Sequence, residues 1–132
     1  MNTRLLMTIS AAAMALTGLI LQFFPQETLG YLGLASDGAT PLLLQITGAL
    51  YLGFAMTNWM AKAVLIGGIY ARPLAIGNFA HFTIAALALV KYALTAETSA
   101  LIWIPTAGYS IFAVLFGIVF MTHPGRTYKN QG

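Results

Sequence analysis

Asn78 and His81 stand one helical turn apart in "GNFAHF", inside the otherwise almost wholly apolar run "PLAIGNFAHFTIAALALV". An uncharged imidazole donates at one ring nitrogen and accepts at the other, and a carboxamide does both, so the pair suits a hydroxyl or carbonyl better than an anion. Histidine in an apolar run also raises acid–base, metal and haem chemistry, and each of those needs partners. A zinc site takes three or four ligands, whereas the chain has two histidines, His81 and His123, and no cysteine. Without cysteine there are no thiolate nucleophiles and no disulfides. His81 falls near the middle of its run and His123 beyond the end of another, so the two cannot sandwich one haem within a monomer. No serine shares the His81 run, and no carboxylate lies in any apolar run to orient an imidazole base or relay protons. The expected catalytic residues, metal and cofactor are therefore none, and an intramembrane enzyme using His81 ranks third among the functions considered below.

The elements that carry these residues follow from composition. Of 132 residues 59% are hydrophobic and 7% charged, and the mean hydropathy is +0.82. A soluble domain of this size leaves too many residues exposed to hide so much apolar surface, so the solvent for most of the chain is expected to be lipid. The formal net charge of +3 comes from six Lys and Arg against three Asp and Glu. Those six are scattered between apolar runs rather than clustered with aromatics, which speaks against a nucleic-acid partner.

Four runs are long enough to cross a hydrocarbon core of about 30 Å at 1.5 Å per residue. They are read at about 5–24, 41–66, 73–94 and 99–122, as one transmembrane domain over 1–132. Arg4 and "AMA" at 13 to 15 resemble a signal peptide, yet the apolar stretch continues to Phe24, so a retained span is expected. Thr40-Pro41 reads as an N-cap and first-turn proline. The end of the second run is blurred, since Lys62 can snorkel from a helix that stops only at Gly67-Gly68. Pro105 either begins the fourth helix or kinks it. The loop "PQETLGYLGLASDGAT" is expected to fold against the interface as a short helix or turn.

Basic residues near span ends stay on the cytoplasmic side. Arg4, Lys62, Arg72, Arg126 and Lys129 fall at one set of ends, while Lys91 and all three acids, Glu27, Asp37 and Glu97, fall at the other. The expected fold is thus an all-α integral membrane four-helix bundle with both termini cytoplasmic. Trp59, Tyr70 and Tyr128 suit the inner interface, Tyr31 and Trp103 the outer one. Arg72 and Lys62 are read first as topology signals and anchors, and second as a head-group site. "YLGFAM" at 51 to 56 and "YSIFAV" at 109 to 114 carry a faint echo of a two-plus-two repeat.

Within lipid, helices are held together by small residues that let backbones approach and by polar side chains that pair. Ala11, Ala15 and Gly18 with Ser10, Ala13 and Thr17 form one such seam, and Thr106, Ser110, Ala113 and Gly117 another. The second span aligns Thr47, Tyr51, Ala55, Asn58 and Lys62 on one face; the third aligns Asn78, His81, Ala85, Ala88 and Tyr92. Measured from Lys62 and Arg72, Asn58 and Asn78 lie roughly 6 to 9 Å inside, Tyr51 and His81 roughly 13 to 17 Å. A polar group facing lipid costs several kcal/mol, so these four are expected to turn inward. On the plainer reading Asn58 bonds Asn78 and Tyr51 bonds His81, which fixes helix register. On the sharper one Asn58, Tyr51, Asn78 and His81 bind a lipophilic small molecule by its polar end.

The four-span size, the Arg-flanked first span and the stretches "GALYLGF" and "RPLAIGNFAHF" resemble small uncharacterised bacterial membrane proteins of the DoxX-like kind. That resemblance implies a multi-pass protein of the bacterial inner membrane and carries no functional motif. The function expected is a binding or accessory role in the bilayer. The alternative is a small transporter or an assembly subunit, in which the small-residue seams contact another copy of the chain or a partner membrane protein.

Overall fold

The computed structural model describes residues 2–63, 71–95 and 100–121. Ile66, Gly67, Gly68, Tyr70, Glu97, Ser99, Thr122, His123, Arg126, Tyr128 and Lys129, which carry parts of the sequence reading, lie outside the described residues. The described chain forms α1 (Thr3–Phe23), α2 (Pro25–Tyr31), α3 (Thr40–Ala61), α4 (Arg72–Thr95), a 3-10 turn (Ala100–Ile102) and α5 (Trp103–Met121). Among the described residues four helices, counting Ala100–Met121 as one, are long and apolar enough to cross a membrane. Only 11% to 33% of the most apolar window of each is buried, so their outward faces are lined by side chains such as Leu16, Leu50, Ile84 and Ile104. Faces of that kind suit hydrocarbon and not water.

Local chemistry places the helix ends. Asn2 caps α1, its side chain accepting from the Leu5 amide at 3.2 Å. Pro25 ends α1, because the residue before a proline is pushed out of the helical region, and Phe24 sits at φ −126°, ψ 47°. The loop that follows α1 does form a short helix, α2, which packs against α1 and α3 and in which Leu29 is fully buried. Gly33, at φ +68°, closes α2: its amide donates to Gly30 O at 3.1 Å and the Leu34 amide to Leu29 O at 2.9 Å, a Schellman closure that only a residue free of a Cβ adopts without strain.

At α3 the expected cap shifts by one residue. Thr40 is already helical, Ala39 takes the cap position without a side-chain bond, and Pro41 sits in the first turn, where its missing N–H has no acceptor to lose. α3 ends at Ala61 with Lys62 at the cap position, short of the Gly67-Gly68 considered from sequence. Pro105 lies in the first turn of α5, so it starts the helix and does not kink it. The Thr106 hydroxyl bridges back to Ile102 O at 2.7 Å, joining the 3-10 turn to α5.

The chain divides into two compact units, Met1–Ala63 and Val64–Gly132. In the first, α1 packs along α3, burying Met7, Ser10, Ala11, Met14 and Gly18 against Gly48, Ala55 and Asn58. Those α1 positions recur at spacings of three and four, the period of one helix face. In the second, α4 packs along α5 around Phe82 and Phe116, which are 1% and 0% exposed.

Candidate functional site

In the first unit two glycines decide how close the helices come. A Cβ on Gly18 would stand 2.9 Å from Gly48 O and 3.0 Å from the Leu52 amide nitrogen, and one on Gly48 would stand 2.9 Å from Gly18 O. Backbone meets backbone at this crossing, as small-residue helix contacts in lipid require. The register is antiparallel and held by side chains on both sides of the crossing. On one side the Asn58 carboxamide donates to Ser10 Oγ at 3.2 Å and reaches Met14 Sδ at 3.6 Å, while Ser10 Oγ donates to Met7 O at 3.1 Å. Asn58 and Ser10 are fully buried, so an unmade bond there would carry the full desolvation penalty. On the other side Gln45 Nε2 donates to Gln22 O at 3.4 Å.

Beyond the glycine crossing the facing side chains are too small to fill the space between α1 and α3. A groove of about 480 Å³ opens there, lined by Ala11, Ala12, Ala15, Leu52, Ala55, Met56 and Trp59. From Leu52 to Trp59 it runs roughly 10 Å along α3. Its wall is apolar from end to end. At the Trp59 end the Lys62 ammonium lies 2.9 Å above the centre of the indole, a cation–π contact that parks the charge beside the groove mouth.

The second unit builds a different environment from aromatic rings. Tyr109, Phe112, Phe116 and Phe120 recur at spacings of three and four along α5 and so share one face. Phe82 of α4 stacks on Phe112 at 4.7 Å and on Phe116 at 5.5 Å, and meets Tyr109 edge-on at 5.4 Å. Phe79 stacks on Phe120 at 5.8 Å and fills the space left by Gly117, whose missing Cβ would stand 3.1 Å from the Phe79 ring. His81 is half-buried beside this column, its ring 5.1 Å from Phe82 and 5.9 Å from Tyr109. Asn78 is fully buried, with its carboxamide donating to Leu74 O at 3.0 Å.

Of the four residues singled out from sequence, Tyr51 and Asn58 thus belong to α3 in the first unit, and Asn78 and His81 to α4 in the second. Asn58 is drawn to Ser10 and Met14 of α1, and His81 has Tyr109 of α5 as a ring neighbour. None of the four lines the α1–α3 groove. Among the described residues no three His, Cys, Asp or Glu side chains converge as a metal site would need. Sequence reasoning passed over Ala12 and Phe116, met Met56, Tyr109 and Phe112 only as parts of a faint repeat, and gave Trp59 only an interfacial part. A signal was present for some of these. The aromatic period of α5 is readable, and Ser10, counted from Arg4, lies roughly 9 Å along its helix, close to the depth of Asn58.

No protein-family model, curated protein or solved structure matches this chain.

Proposed function

We propose that this is a multi-pass membrane protein with a binding or accessory role, holding a lipophilic molecule in the groove between α1 and α3. The observation that carries the reading is the groove itself, a concave apolar surface of a few hundred Å³, the size class in which small-molecule sites fall. In lipid such a surface is filled by something apolar. Asn58 and Ser10 contribute by fixing the α1–α3 register on which the groove depends. The sorting of charge between span ends supports termini on the cytoplasmic side, and the likeness to DoxX-like proteins supports a bacterial inner membrane.

The test is native mass spectrometry of the full chain in mild detergent, comparing wild type with Ala12→Phe, which fills the groove from an exposed position, and with His81→Ala. A bound small molecule that disappears in Ala12→Phe and persists in His81→Ala is the expected result. Loss only in His81→Ala moves the site to α4 and defeats the groove reading. A bare monomer throughout defeats binding altogether, and a stable oligomer without a bound molecule favours the assembly-subunit alternative.

A further inference from the structure

The groove has chemically distinct ends. Asn58 and Ser10 are bonded to each other, Lys62 lies four residues beyond Asn58, and Arg4 six residues before Ser10. In an antiparallel pair both steps lead the same way, so Arg4 and Lys62 lie at one end of the helix pair, roughly 9 and 6 Å past that bond. The amino end of α1, whose first-turn amides point outward with a partial positive charge, is at this end too. The acids of the same unit, Glu27 in α2 and Asp37 before α3, are at the other end, a full helix length away. Between the cations and the alanines stands Trp59, which both lines the groove and carries Lys62 on its ring.

An apolar channel that ends under a cation, with no acid of its unit nearby, is complementary to an amphiphile with a hydrocarbon tail and an anionic head. We propose that the α1–α3 groove binds one acyl chain of an anionic phospholipid, with the lipid phosphate held at Lys62 and Arg4. The proposal rests on the lipophile-binding reading and gives the ligand its class. The chain lies along Ala11, Ala12, Ala15 and Ala55, where the short side chains leave room for methylenes. The Lys62 ammonium, stacked on Trp59, has N–H groups to spare for a phosphate oxygen. A zwitterionic lipid offers the same tail and no net charge, and so gains less from this end.

Trp59 supplies its own reporter. The chain has two tryptophans, and Trp103→Phe leaves Trp59 alone. In that background the full chain is reconstituted into phosphatidylcholine vesicles and titrated with phosphatidylglycerol or phosphatidylcholine brominated on the acyl chains, and the quenching of Trp59 gives the relative affinity of the two lipids. Phosphatidylglycerol is expected to be favoured about fivefold by Lys62 and further by Arg4. Lys62→Gln lowers that ratio about fivefold, Lys62→Gln with Arg4→Gln brings it to about one, and Ala12→Phe removes the preferential quenching while circular dichroism stays unchanged. A ratio of about one in the parent, or a ratio that Lys62→Gln leaves unchanged, overturns the proposal. Equal quenching by both lipids that Ala12→Phe abolishes defeats the anionic head group alone and leaves the lipophile groove standing. Quenching that Ala12→Phe does not touch defeats both. Absence of quenching by either lipid, with the protein a dimer, shows a second copy seated in the groove and also overturns the proposal.

Discussion

Asn58 shows what one polar side chain does in an apolar helix pair. Its bond to Ser10 joins α1 to α3, and interhelical bonds of this kind contribute about 0.6 to 1.7 kcal/mol in a membrane. Asn58→Ala and Ser10→Ala should each lower stability by about 1 kcal/mol, and the double variant by less than their sum, in thermal unfolding followed by circular dichroism. Strict additivity would mean that the two residues act independently. In the second unit the ring column makes the opposite forecast for His81. Phe82 is enclosed by Tyr109, Phe112 and Phe116, so Phe82→Ala should cost about 3 kcal/mol or more, whereas His81→Ala, losing a half-buried ring at the column's margin, should cost clearly less. Equal costs would make His81 as central to packing as Phe82. That Asn58, Asn78 and His81 turn inward was legible from their types and period. The partner of Asn58 in α1 was harder to read, because periodicity gives a face and a depth but does not say which neighbouring helix supplies the acceptor.

At the scale of elements, glycine separates two kinds of helix contact. Gly18 and Gly48 face backbone, which cannot move aside, so Gly18→Ala or Gly48→Ala should push α1 from α3 and cost about 1 to 3 kcal/mol. Gly117 faces the edge of the Phe79 ring, which can turn, so Gly117→Ala should cost below about 1 kcal/mol. Parallel thermal melts of the three variants check this ordering, and a Gly117 variant as unstable as the Gly18 one would contradict it. The sequence reading placed Gly18 in a seam but left Gly48 out, since the face it followed on α3 runs through Thr47, whose exposed hydroxyl is satisfied by Leu43 O of its own helix, and Gly48 lies one residue further round. Helix ends were more legible: Pro25 stops α1 and Pro105 opens α5 by steric rules that act over one or two residues. The "YLGFAM" and "YSIFAV" segments fall one in each unit, on the second long helix of each.

For the molecule as a whole, the charge pattern makes a topological forecast that the absence of cysteine makes simple to test. Ser36→Cys, between α2 and α3, should react with a membrane-impermeant maleimide in intact cells, and Ala63→Cys, just past Lys62, only after permeabilisation. The reverse pattern would refute cytoplasmic termini. Composition and hydropathy by themselves determined that the described residues form helices and no strand, with four helices among them fit to cross a membrane, because covering every backbone N–H and C=O in lipid leaves an apolar stretch of about 20 residues little choice but helix. The approach of Gly18 to Gly48, the Asn58–Ser10 bond, the Phe82 column and the alanine-lined groove under Trp59 and Lys62 were decided only by the tertiary structure. Each depends on which residues of two helices far apart in the chain come face to face. In hydrocarbon, where an outward face is as apolar as an inward one, the pattern along a single helix carries little of that information.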